Sequence, residues 1–169
     1  RDGCPLKYLS DGRFCFHQKS FLDYFTAKLI IERVLNDRIR PDENLRIILR
    51  DPMVRDFIIK AVDFHPSVKI DCLLKIKNTQ STSHEAYSAG AVMMLLNLVR
   101  FNFSSMELGN IVIPGAILDH GLFDSTNFTG ADLTGASFHG AWLRNANFKN
   151  AAIKNVSFES ENTFDVPAE

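Results

Sequence analysis

The chain has 169 residues, 46% of them apolar and 23% charged, with a formal net charge of -1. That composition excludes wholesale disorder, and the length allows one or two domains. The near-neutral total hides a division: residues 1–100 hold 16 of the 19 Lys+Arg and 12 of the 20 Asp+Glu, whereas residues 101–169 hold 3 and 8. The two parts therefore carry +4 and -5, and neither is basic enough for a nucleic-acid-binding arm.

In chain order, Leu6-Lys7-Tyr8-Leu9 and Arg13-Phe14-Cys15-Phe16 flank Ser10-Asp11-Gly12. An Asp-Gly turn between two apolar-rich runs predicts a β-hairpin. Phe21, Tyr24, Phe25, Leu29 and Ile30 then show the helical spacing of an apolar face, through about Leu35. Three further helix starts place proline near the first helical position: Arg40-Pro41-Asp42, Asp51-Pro52-Met53 and His65-Pro66-Ser67. Asp51 suits the N-cap of the second. A last helix is expected from the capping-box spacing Thr82-x-x-Glu85 through the apolar run Ala91 to Leu96. Short helices in this succession suggest a small bundle or solenoid turn over residues 21–100.

From Phe103 the chain changes character. Every fifth residue is large and apolar: Phe103, Leu108, Ile113, Leu118, Phe123, Phe128, Leu133, Phe138, Leu143, Phe148, Ile153 and Phe158. Two places before each lies a second series, which from Ala116 onward is mostly small (Gly121, Thr126, Ala131, Ala136, Ala141). Thr163 breaks the register, so the repeat ends near Ser160. A period of five fits neither an α-helix nor a two-residue strand. Ala131-Asp132-Leu133-Thr134-Gly135 matches the consensus A-(D/N)-L-x-x, and residues 101–160 resemble the pentapeptide-repeat family. That resemblance implies a right-handed quadrilateral β-helix with one pentapeptide per side and twenty residues per coil. About three coils follow, in a body about 15 Å tall at strand spacing. The expected fold class is α+β, with a helical domain capping a short β-helix. Phe101, Met106 and Ile111 replace small residues in the first coil, as expected if the helices plug that end.

A second resemblance lies at the other end. Phe14 to Ala27 resembles the motif that ends the winged-helix domain of NACHT-type signalling NTPases, with Ser20, Phe21, Asp23, Tyr24, Phe25 and Ala27 matching. On that likeness residues 1–20 are a wing hairpin. The family's histidine, which contacts the diphosphate of bound ADP in relatives, falls at Gln18, while His17 lies one place early. The resemblance thus implies a nucleotide contact at Gln18 or His17 in a full-length protein, and Gln18 would supply a neutral hydrogen bond instead of a charge-assisted one. Residues 90–144 also look like the linker-plus-repeat segment of large STAND and NACHT proteins, which act as ligand-gated switches.

The chain opens on Arg1, which suggests a piece of something larger, with residues 161–169 as a tail. Cys4, Cys15 and Cys72 cannot all pair and fit no C-x-x-C spacing, so reduced thiols in a cytoplasmic protein are expected. The apolar run Ala91–Val99 is far shorter than the roughly 20 residues of a membrane span. There is no G-x-x-x-x-G-K-(S/T), G-x-S-x-G or H-E-x-x-H, so no catalytic residue, metal or cofactor is assigned within this piece; ADP or ATP would belong to a preceding domain. Asp119-His120 falls on outward turn positions. The sequons at Asn102, Asn127 and Asn155 follow from the repeat.

The β-helix geometry isolates one surface. Leu122 and Trp142 occupy the outward position before a central residue and lie twenty residues apart, so they should stack on one side. Asp124 and Arg144 should pair beside them. An outward Trp with an aliphatic neighbour and an ion pair resembles an interface hot spot, so protein is the expected partner, either a separate chain or a neighbouring domain. Val112 and Ile117, in the first coil, should be covered by the helices. The function expected is a non-catalytic regulatory module of a larger signalling protein. The alternative is a stand-alone effector that binds a protein target. A DNA mimic would need a longer and more acidic rod, and a membrane adaptor would need a basic amphipathic helix.

Overall fold

The computed structural model describes residues 6–16, 18–36, 43–78 and 83–158. Strands β1 (Leu6–Tyr8) and β2 (Phe14–Phe16) pair antiparallel, with Lys7 opposite Cys15. Gly12 takes a left-handed φ of 84° in the turn, which Asp11 closes by accepting from the Arg13 backbone and guanidinium. Five helices follow: α1 (Lys19–Leu35), α2 (Glu43–Ile48), α3 (Pro52–Phe64), α4 (Pro66–Asn78) and α5 (Ser83–Leu98). Pro52 and Pro66 each open a helix, where a missing N–H costs nothing. Asp51 caps α3, its Oδ1 accepting from Met53 N at 2.9 Å and Val54 N at 3.3 Å. Arg40-Pro41-Asp42 and Thr82 lie outside the described residues.

Helix α1 forms over the expected stretch but turns the opposite way. Its buried residues are Asp23, Ala27, Ile30 and Val34. Phe21, Tyr24, Phe25 and Leu29 are exposed; of the five residues whose spacing marked the apolar face, only Ile30 is inside. A polar clamp accompanies this orientation. Lys19 Nζ donates to Asp23 at 3.1 Å and to Asp51 at 3.0 Å, tying the start of α1 to the cap of α3. Those bonds raise the pKa of Lys19, and the bond from Lys19 is the main reason Asp51 stays below the usual carboxylate range. With Asp23 held inward, small Ala27 packs toward the buried Val54, Ile58 and Val62 row of α3.

The second half of helix α5 is apolar on every side: Ala89 and Ala91 to Leu96 are all buried. It ends with Phe101 N donating to Leu96 O and Arg100 N to Asn97 O, both at 3.0 Å, the paired closure of a Schellman motif. Beyond it, eight parallel bridges join positions twenty residues apart, from Asn102↔Leu122 to Ser137↔Ser157. Each twenty residues supply four such positions, spaced by five, with a turn after each. The result is a β-helix with the helices on its N-terminal side. Asn102, Asn127, Asp132 and Asn147 each accept from the backbone N–H two residues on, which is why Asn or Asp precedes a central residue.

The central residues fill the interior in columns, as the period requires. Phe103 and Phe123 stack at 4.9 Å, Phe128 and Phe148 at 5.3 Å, and Phe138 and Phe158 at 5.8 Å. Thr126 is the buried polar exception in the small series, and its hydroxyl donates to Phe103 O at 2.9 Å. One continuous apolar core runs from α1 through α5 into Phe103, Phe123 and Phe138. Phe101 and Met106 pack against it, so the bulky first coil meets the helices. Ile117 packs there too, and Val112 is half-buried.

Candidate functional site

Bridging brings the Leu122 and Trp142 backbones side by side, with Phe123 N donating to Trp142 O and Trp142 N to Gly121 O, each at 2.8 Å. Their side chains point out of the coil because the flanking Phe123 and Leu143 point in. Trp142 is 65% exposed and Leu122 39%. Asp124 Oδ1 accepts from Arg144 N at 3.2 Å, and its Oδ2 lies 3.5 Å from the Arg144 guanidinium. Asp124 is therefore fixed by backbone, while the Arg144 side chain stays 81% exposed. An exposed pair of this kind adds little stability. What it adds is a defined charge pattern beside an indole, on a backbone bridged to the coil before it.

Gln18 sits at the other end of the chain, at the N-cap of α1 with extended φ and ψ. It is exposed, and its side chain makes no capping hydrogen bond. His17 lies outside the described residues. Asp119 and His120 occupy a turn as expected. The Asp119 carboxylate accepts from Ser137 Oγ at 2.5 Å and from His139 N at 3.0 Å, so it braces the neighbouring coil.

Among the described residues no group of three or more His, Cys, Asp or Glu could hold a metal ion. Cys15 and Cys72 are free thiols, and burial pushes the Cys72 thiol up to about 11, far from a reactive thiolate. No described helix is long and apolar enough to cross a membrane.

Two features escaped the sequence reading. One is the exposed apolar side of α1, hidden because periodicity marks a face without saying which way it turns. The other is a cavity of about 240 Å³ where the α2–α3 turn, the end of α5 and the first coil meet. Its sequence signal was available: Arg100 and His120 stand where the turn residues are otherwise Gly, Asn or Ser.

Comparison with known proteins agrees with the coil geometry. No curated protein matches the chain. The family model for pentapeptide repeats matches residues 115–159 in 8 copies. The match begins after the bulky first-coil positions Phe101, Met106 and Ile111, although the bridges keep the same register back to Asn102. Residues 115–159 are thus pentapeptide repeats, and they form the part of the β-helix that carries Leu122, Asp124, Trp142 and Arg144.

Proposed function

We propose that this chain is a non-catalytic protein-interaction module in which the β-helix presents Leu122, Asp124, Trp142 and Arg144 to a protein partner. The observation that carries this reading is the indole of Trp142, 65% exposed on a backbone bridged to the coil before it. A large aromatic side chain on an ordered backbone, beside an Arg–Asp pair, is the usual composition of a binding hot spot. In this reading residues 101–160 are a right-handed, four-sided coil of about three turns, residues 21–100 a helical domain and residues 161–169 a tail.

The same reading places the chain in a larger, cytoplasmic NACHT/STAND-like signalling protein. The hairpin is then the end of a winged helix, and any NTPase activity, with its ADP or ATP, belongs to a preceding domain that Gln18 or His17 would face. Two observations support this. Six residues from Ser20 to Ala27 match the motif. Three of them (Phe21, Tyr24 and Phe25) are exposed aromatics that a neighbouring domain would cover. The flanking sequence tests the context: an initiator Met directly before Arg1, with no NTPase domain, refutes it.

The interaction surface is tested by immobilising the chain and capturing partners from extracts of its source cells. Trp142→Asp should remove the captured protein while leaving the thermal melt nearly unchanged. Capture that survives the substitution would refute the surface, and so would a large loss of stability, which would show Trp142 packed within the chain.

A further inference from the structure

Twelve residues from Arg100 to Asn155, one in every five, have φ between 56° and 71°. Ten of them are Gly, Asn or Ser, the residues that tolerate this left-handed turn most readily. The other two are Arg100 and His120. They stand twenty residues apart, one coil above the other, and both line the cavity at the junction of helices and β-helix. Local turn chemistry opposes a long side chain at each place, Arg100 above all, since it occupies the C′ position where a helix prefers glycine. Their shared destination supplies the reason.

The rest of the lining is consistent with a common ligand. Arg50 comes from the turn after α2 and Arg55 from the first turn of α3, so with Arg100 three solvent-exposed arginines from three segments line the cavity. Among the described residues no carboxylate forms an ion pair with any of the three. The one acid in the lining, Asp119, accepts from Ser137 Oγ and His139 N through Oδ1. The Leu96 and Asn97 carbonyls of α5 are occupied by its Schellman closure. His120 lies over Gly140, where an added Cβ would come within 2.6 Å of its Nδ1, so the missing side chain at Gly140 makes room for the ring. Leu98 and Ile117 give the same cavity an apolar wall.

We propose that this cavity binds a small phosphate monoester. Arg50, Arg55 and Arg100 hold the phosphate, His120 supplies a further ring nitrogen, and the organic group rests on Leu98 and Ile117. Three planar, permanently charged forks suit a dianion with three terminal oxygens better than a single carboxylate. A cavity of about 240 Å³ suits a small ligand and not a polymer. Because the walls come from both the helices and the first coil, occupancy would also lock the two together.

Calorimetric titration of the full chain with phenyl phosphate and with inorganic phosphate tests this directly. Both should bind saturably, phenyl phosphate more tightly, and each should raise the melting temperature. Arg100→Gly should weaken both by about tenfold or more while preserving or raising the melting temperature without ligand, because glycine relieves the left-handed turn. Arg55→Gln should weaken binding similarly, and Arg144→Gln, on the Trp142 surface, should not. No saturable binding of either phosphate would overturn the proposal, as would affinities that Arg100→Gly and Arg55→Gln leave unchanged. Sedimentation of the chain with phosphatidic acid vesicles, lost in Arg100→Gly, would overturn the small-molecule assignment in favour of a lipid headgroup.

Discussion

At their central, inward positions the first and last coils of the β-helix contain the same kinds of residue, large and apolar, yet they live in different environments. Phe103, Leu108, Ile113 and Leu118 are buried in the core that the coils share with the helices. Of the corresponding residues of the last coil, Leu143 and Phe148 are half-buried and Ile153 and Phe158 are 50% and 44% exposed. The period decides which residues face the axis, and the neighbour on each side decides whether the axis is dry. That is the expected behaviour of a repeat body, whose stability is a sum over units and the interfaces between them. A helical domain is the cap at one end, and it shares a single core with the coils.

The sharpest break of this comparison is a pair of phenylalanine truncations. Phe128 is fully buried among Phe123, Phe138 and Phe148. Phe128→Ala should destabilise the chain by about 3–5 kcal/mol in denaturant unfolding, through lost transfer energy and the cavity left behind. Phe158→Ala, at a 44% exposed position of the last coil, should cost less than about 1 kcal/mol. Equal losses would mean that the third coil is as well covered as the second.

A smaller pair of changes concerns the turns. Gly135 and Gly140 both have left-handed φ, at 68° and 60°. An added Cβ at Gly135 meets nothing within 4 Å, whereas at Gly140 it strikes the His120 ring. Gly135→Ala should therefore cost about 1 kcal/mol of turn strain alone. Gly140→Ala should cost more and displace His120, read by a change in that imidazole's NMR shifts that Gly135→Ala leaves absent.

How much of this was legible in the sequence follows from how local each determinant is. In the β-helix the inward residue, the Asx turn and the left-handed turn recur within each five residues, so columns such as Phe128 over Phe148 could be written down in advance. Trp142 and Arg144 followed by the same arithmetic. The starts of α3 and α4 were equally plain, because Asp51, Pro52 and Pro66 act on their own turns. The orientation of α1 was not legible. It goes with a Lys19–Asp51 contact that spans 32 residues and with a buried Asp23 that no apolar pattern would place inside. The junction cavity was hidden for a related reason: Arg50, Arg55 and Arg100 meet only once the helices have docked on the first coil.

Trp142 is the sole tryptophan of the chain, so its fluorescence tests the central claim, a rigid β-helix displaying that side chain, without any label. In the isolated chain the emission should lie close to that of tryptophan in water and be readily quenched by iodide. It should shift to shorter wavelength and lose its quenching when the partner binds. Emission that is already short in wavelength and shielded from iodide in the isolated chain would contradict the account.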